Sequence, residues 1–303
     1  MKKILVAYYT QSGQVKEILD HYLIPFKDDV KYELFYHQIK PVNDYPFPWT
    51  SEEFFDVFPE SVTETGCDLQ AMPQELIQEY DLIILGVQVW YLSPSIPITA
   101  FLKSRDFKTI AKNTSVITIN GCRNMWFKAH DSIIKYLQQT QAKHQGHLVL
   151  FDKNNNLLSV ITVMYWAFTA KKDKMWGIFP KPGIADEDIK GVKIFGQMLK
   201  DFWQKDQLDL LQGSYMQAGG ITVLPHMMSM EYKAKRIFKI WTKLVLKKGG
   251  PRNPKRSRRL SIFKYYLLFM IYFISPIVTL FFYITYPLFY KKIKKKMIKY
   301  QEV

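Results

Sequence analysis

A chain of 303 residues, 48% of them hydrophobic and 16% aromatic, is long enough to bury a full core in one or two domains. Its two cysteines, Cys67 and Cys122, supply neither a disulfide framework nor a metal-ligand cluster, so a reducing compartment and no metal site are expected. The formal charge of +15 is concentrated: residues 231–303 hold 19 Lys/Arg against Glu231 and Glu302, a net +17, whereas residues 1–230 sum to −2, so a DNA-binding reading of the whole chain loses its main support and no nucleic-acid partner is expected.

The opening MKKILVAYYT is too short for a signal peptide and reads as a strand, with Ile4-Leu5-Val6-Ala7-Tyr8 as its apolar run. A helical pattern follows from Gln14 to about Leu23, then a second strand over roughly Tyr32 to Ile39. Continuous apolar runs recur at Asp81–Val87, Ser115–Asn120 and His147–Phe151, separated by helical stretches at Pro97–Lys103, Lys128–Gln141 and Asp186 to about Gln204. Runs without strict alternation are covered on both faces, as in a parallel sheet flanked by helices. Five such strands with helical crossovers predict a doubly wound α/β domain, whose ligand site lies outside the carboxyl ends of the strands.

The turn Thr10-Gln11-Ser12-Gly13-Gln14-Val15 stands at that position. It offers hydroxyls and successive backbone N–H groups around an anion at a helix N-terminus, and Gly13 lets the backbone approach closely. No Lys follows as in a P-loop, and no G-x-G-x-x-G is present, so the site suits one monophosphate. The plain alternative is a strand-to-helix turn with Ser12 as its N-cap. A second loop, Gly86-Val87-Gln88-Val89-Trp90-Tyr91-Leu92-Ser93-Pro94, leaves the third strand and presents two aromatics; the fourth-strand loop reads Asn120-Gly121-Cys122-Arg123-Asn124-Met125-Trp126.

With these three loops the sequence resembles the flavodoxin-like family of FMN proteins, over about residues 1–150 and the helix near 186–204. The resemblance implies a five-stranded flavodoxin-like sheet and FMN as cofactor. Its phosphate would be held by Thr10, Gln11, Ser12, Gly13, Gln14 and Val15, with Val15 in place of the motif's last hydroxyl. The isoalloxazine would lie against Val89, Trp90, Tyr91 and Leu92 and against Asn120, Gly121, Cys122 and Arg123.

Two insertions, Pro41–Met72 and Asn154–Ile184, are rich in aromatics and prolines; they read as an apolar lid over a flavin, or else as a satellite core or dimer contact. Polar groups for chemistry are few. Arg123 suits an enolate oxygen, or a surface ion pair; Tyr91 suits donation to a substrate oxygen, or stacking; His130 is a base, or a structural helix histidine. Cys122 reads as a packing residue.

The tail differs in kind. Tyr265–Tyr290 carries no charge and is long enough for one tilted span, yet both flanks are basic, KRSRR before it and KKIKKK after it. A single span would put one basic cluster on the translocated side, and Pro276 removes a helical hydrogen bond near the middle. A re-entrant helical hairpin or an in-plane anchor is therefore expected, with a single span as the alternative, and Tyr232–Lys248 reads as a basic amphipathic helix on anionic lipid. The chain divides into a flavodoxin-like domain (1–230), a basic helix and linker (231–262) and a membrane-associated segment (263–303).

The combination of PFPW, VWYLSPSIP, NGCRNMW, GIFPKPG and the tail SPIVTLFFYITYPLFYKK resembles the flavodoxin-like dialkylresorcinol condensing enzymes. Over the whole chain, that resemblance implies FMN-dependent aromatisation of a dialkyl cyclohexanedione in dialkylresorcinol or flexirubin synthesis. It also implies a ketosynthase-type condensing partner and a place on the cytoplasmic face of the inner membrane. Two other functions fit the same residues: a membrane-associated NAD(P)H:quinone reductase or electron carrier, and a flavin-free scaffold for a condensing enzyme.

Overall fold

The computed structural model describes residues 1–303. Each continuous apolar run becomes a strand: β1 (Lys2–Tyr8), β2 (Tyr32–Gln38), β3 (Leu82–Trp90), a two-residue β4 (Ser93–Pro94), β5 (Ser115–Cys122) and β6 (Lys143–Phe151). The order is β2-β1-β3-β5-β6, all parallel, with β4 turned back antiparallel on the end of β3. Ala7 lies opposite His37 on one side and Leu85 on the other, and Leu85 lies opposite Thr118. This is the flavodoxin-like order of a doubly wound sheet, with its switch point at the carboxyl ends of β1 and β3.

The helices that build the layers and the site are α1 (Gln14–Tyr22), α2 (Ser51–Asp56), α3 (Phe58–Thr63), α4 (Ile96–Lys103), α5 (Phe127–Gln139), α6 (Asn156–Thr169), α7 (Lys193–Gln204), α8 (Pro225–Leu246), α9 (Ser257–Phe269) and α10 (Ser275–Lys299), with further short helices such as Arg105–Ala111 and Leu211–Gln217 between them. Ile4 and Val6 pack with α1 and α7 through Ile18, Leu19 and Leu199, while Leu5 and Ala7 pack on α4 and α5 through Phe101 and Ile133. Both strand faces are thus buried, which is why the runs lack alternation. Gly86 sets the depth of this packing: a Cβ there would meet Leu19, Tyr8 and Val15 at 2.7 to 2.9 Å.

Three expectations change. The helix expected over 186–204 is interrupted at Val192, beyond which Gly196 lies so close to the Tyr22 carbonyl that a Cβ would fall 1.8 Å from it. The basic helix α8 does not lie free on lipid, because one face is docked. Its buried Glu231 accepts the Phe127 and Lys128 amides at the N-terminus of α5, and Phe238 packs edge-on against Phe58 of α3. The hairpin expected in the tail is replaced by one continuous helix, α9 running through a π-helical turn (Met270–Ile274) into α10. Pro276 falls in the first turn after that π segment, where a widened turn accommodates the missing N–H without reversing the chain.

The first insertion forms the satellite core that was one of the expected alternatives. Trp49 and Met72 join the sheet core, whereas Phe55, Phe58 and Val62 form a satellite core with Phe238 of α8 and Leu260 and Phe263 of α9. Arg256, fully buried at the head of α9, forms two 2.8 Å bonds to the Glu60 carboxylate.

Candidate functional site

The turn after β1 enters α1 through Gly13, which is in the left-handed region (φ 86°) and is itself the N-cap. No side chain caps this helix, so Ser12 is not the N-cap of the plain alternative. The first helical bond runs from the Glu17 amide to the Gly13 carbonyl, which leaves the amides of Gln14, Val15 and Lys16 without an acceptor. Beside them, the Thr10 hydroxyl is buried without a partner. Uncapped amides at the positive end of a helix, plus an unused hydroxyl, are the donor set an anion requires.

Two of the expected phosphate residues hold the loop rather than a ligand with their side chains. Gln11 donates to the Pro46 carbonyl (2.7 Å), and Gln14 is paired with Ile184 through both the carbonyl (3.2 Å) and the amide (3.3 Å). Val15 is buried in the core and offers its amide alone. Ser12 lines the cavity that begins here.

That cavity, about 500 Å³, runs from Ser12 past Trp90, Tyr91 and Arg123 to α8 and the π-helical turn, and its lining is mostly apolar. Its volume is that of a small-molecule or cofactor site. The β3 exit is shaped by two consecutive left-handed residues, Tyr91 (φ 45°) and Leu92 (φ 62°), each costing about 1–2 kcal/mol for a residue with a side chain. Three contacts hold them. The Tyr91 hydroxyl donates to the Phe54 carbonyl (2.7 Å), β4 folds back so that Trp90 pairs with Ser93, and Lys235 of α8 donates to the Leu92 carbonyl (3.2 Å) and to Ser93. Burial holds the Lys235 ammonium down at about 8. Trp90 is caged edge-on by Tyr9, Tyr45 and Trp49.

On the β5 side, Arg123 donates from one guanidinium nitrogen to the Asn156 carbonyl (3.1 Å) and side-chain oxygen (2.9 Å), and Asn124 donates to the same oxygen (2.6 Å). Arg123 therefore lines the cavity instead of forming a surface ion pair, and burial pulls its guanidinium below its ordinary range. The Gln88 and Asn124 side-chain oxygens, both at the cavity, are buried without partners. Unused acceptors beside an apolar slot suit the imide edge of a planar ring.

Of the expected site residues, Gln11, Ser12, Gln14, Val15, Val89, Trp90, Tyr91, Leu92, Gly121, Cys122 and Arg123 come together on one cavity. Thr10 and Gly13 stand in the loop behind it. Asn120 does not line it; its amide is buried in β5 with no partner. Tyr91 is not free to donate to substrate, since its hydroxyl is committed to Phe54 and burial raises it well above its ordinary value. Cys122 contacts the Leu150 carbonyl at 3.8 Å and burial pushes its thiol up, so it is a packing residue. His130 is the clear correction. It is buried off the cavity among Trp126, His144, His147 and Tyr300, and burial beside two other imidazoles drives it well below its ordinary value. The sequence reading missed Gln88, Asn156, Lys235 and the inner face of α9–α10. Only Gln88, a polar break in the run of β3, carried a local signal.

The donor set at α1 and the acceptors at Gln88 and Asn124 fit the phosphate and ring of a flavin mononucleotide, and the strand order defines the domain as flavodoxin-like. Among solved structures the chain is similar to a flavoprotein in complex with FMN from Lactobacillus acidophilus NCFM, at 19% identity over 49% of this chain and 93% of that one (TM-score 0.38). It is also similar to oxidised flavodoxin 1 from Bacillus cereus (16% identity, 65% and 95% covered, TM-score 0.35). A third is an NAD(P)H:quinone oxidoreductase from Methanothermobacter marburgensis (7% identity, 56% and 100% covered, TM-score 0.31). No family model and no curated protein sequence matches the chain. Strand order and loop geometry, not these likenesses, carry the fold assignment.

Proposed function

We propose that this chain is an FMN-dependent oxidoreductase for a lipid-soluble cyclic substrate, and that it oxidises a dialkyl cyclohexanedione to a dialkylresorcinol at a membrane. The carrying observation is the continuity of one cavity, from the uncapped amides of α1 to an apolar wall built by α8 and the C-terminal helix. The first end suits a phosphate and a polar ring; the second suits alkyl chains.

In this reading the amides of Gln14, Val15 and Lys16 and the hydroxyls of Thr10 and Ser12 would hold the FMN phosphate, and Gln88 and Asn124 would accept from the ring's imide edge. When bound, the flavin would supply the two-electron oxidation, with dioxygen as the final acceptor, reduced to hydrogen peroxide. Arg123, oriented by Asn156, binds the enolate oxygen and stabilises its charge in a dry site. A ring proton α to one carbonyl, on the outer carbon that neighbours the hydride-donating β carbon, leaves to water, because neither Tyr91 nor His130 is available as a base. Removal of one proton and one hydride gives the enone, and tautomerisation gives the resorcinol. The aromatic cage around Trp90 and the Phe54–Phe168 contact exclude water from the ring. A ketosynthase-type condensing enzyme is the class of partner that delivers such a dione.

The test is product analysis. FMN-loaded protein incubated in air with a synthetic dialkyl cyclohexanedione should yield the resorcinol and an equimolar amount of peroxide. Untouched dione overturns the aromatisation reading, and rapid bleaching of the flavin by NAD(P)H with turnover of an added quinone would assign quinone reduction instead.

A further inference from the structure

The C-terminal helix has two different long faces. Met270, Ile271, Ile274, Ser275 and Val278 line the cavity. Around the other side run Phe269, Phe273, Ile277, Leu280, Phe281, Ile284 and Leu288, each three or four residues from another of the set, and from Phe273 to Leu288 each of these is at least 64% exposed. Residues three and four apart share one helix face, so this is a continuous apolar stripe about 28 Å long at 1.5 Å per residue. Nothing in the chain covers it.

Both ends of the same helix are fastened to one body. At the head, Arg256 pairs with Glu60, and Phe263 stacks on Phe58 with ring centroids 3.8 Å apart. At the foot, Tyr300 is fully buried against Trp126 and Phe127; its hydroxyl bonds Tyr232 (2.7 Å) and Asp131 (3.0 Å), and its carbonyl lies 3.0 Å from His147. Lys299 pairs with Asp131 at 2.9 Å. A transmembrane span would carry these two ends to opposite sides of about 30 Å of hydrocarbon. One polar domain cannot dock both.

We infer that α9–α10 lies in the plane of an anionic leaflet as a monotopic anchor, and that it is the wall through which the cavity meets the bilayer. The stripe sinks into the acyl boundary, while Arg258, Arg259 and Lys264 at one end and Lys291, Lys292 and Lys294–Lys296 at the other meet anionic headgroups. Charge complementarity at both ends commits the stripe to an anionic bilayer rather than to another protein. The portal rests on the proposed lipid-soluble substrate: alkyl chains enter sideways from the leaflet, past Met270, Ile271 and Ile274. The π-helical turn sits at this passage, where the widened backbone locally departs from the regular helix.

The test uses the full chain with a C-terminal epitope tag in sealed inside-out and right-side-out membrane vesicles. Added protease should remove the tag and digest the flavodoxin-like body in the same vesicle orientation and spare both in the other. A tag and body exposed in opposite orientations would overturn the inference, as would protein that stays off the membrane as a dimer burying the stripe. Purified protein should also float with phosphatidylglycerol-containing vesicles, and a Phe281→Glu/Leu288→Glu double variant should lose that affinity at least about tenfold while keeping its flavin. Unchanged flotation of this variant would overturn the stripe assignment. Because these readouts involve neither dione nor dioxygen, failure of the aromatisation reading leaves them standing, and their failure leaves that reading to its own test.

Discussion

Two apolar stretches of this chain, Ile4–Tyr8 and Tyr265–Tyr290, look alike as sequence and end in opposite places. The first is buried on both faces between α1 and α4–α5. The second is largely exposed, with 6% of its most apolar window buried, although that window's mean hydropathy is 2.3. Hydrophobicity says that surface must leave water; it does not say into what. For β1 the partners lie in the same chain, so the fold supplies them. For α10 the partner is missing from the chain, and the proposed partner, matched to the basic flanks, is an anionic bilayer. The loop that follows β1 and the tail meet in one cavity, whose polar end belongs to the sheet's loops and whose apolar end belongs to the tail.

Substitutions that act on one region and spare the other test that division. The largest effect is expected from Ser12→Asp. A carboxylate about 4 Å from a phosphate costs about 4 kcal/mol at an effective dielectric of 20, so FMN affinity should fall by at least about a hundredfold with vesicle binding unchanged. Equal loss of both, measured by flavin fluorescence and flotation, would join the regions into one cooperative unit. Phe263→Ala removes the stacked partner of Phe58 and should lower stability by about 3 kcal/mol, read by chemical denaturation. It should loosen the head of α9 and leave the phosphate loop intact. Gly86→Ala should cost about 1–3 kcal/mol through the clash with Leu19, Tyr8 and Val15, and should act on the sheet and α1 alone.

The smallest effect, per pH unit, concerns the foot of the tail. Burial holds His144 at about 3 and His147 at about 4, and holds His130 low as well. The unfolded chain binds these protons near pH 6.5 and the folded chain does not. Stability from these groups is therefore full above about pH 6.5 and falls as pH drops towards 4, by about 1.4 kcal/mol per unit for each imidazole. Glu231, raised by burial to about 8, works in the opposite sense between pH 8 and 4.5, so three imidazoles outweigh one carboxyl below pH 6.5. The melting temperature should decline between pH 6.5 and 5. A flat profile there would mean the histidine cluster is solvated and the Tyr300 foot is not docked.

Much of the fold was legible because it is local. Runs such as Leu82–Val87 need both faces covered, and Gly13 followed by an amphipathic helix announces the turn. The strand ends were less so: β6 begins at Lys143, four residues before the apolar run, because its ladder to β5 uses backbone groups of polar residues. The site was legible where one loop makes it and illegible where distant elements meet. His130 sits in the first turn of α5, a helix that lines none of the cavity, and no periodicity of its own says so. Asn156 and Lys235 reach Arg123 and Leu92 from 33 and 143 residues away, a juxtaposition only tertiary packing creates. In the tail, Pro276 signals a disturbed helix but not its form, since a π turn and a hairpin answer the same missing N–H.

The central claim is that the loop after β1 holds a flavin phosphate. The most direct measurement is the visible spectrum of the full chain purified in mild detergent, followed by extraction and mass identification of the chromophore. Flavin bands from one FMN per chain, lost in Ser12→Asp, are expected. A colourless protein that takes up no added FMN would contradict the claim.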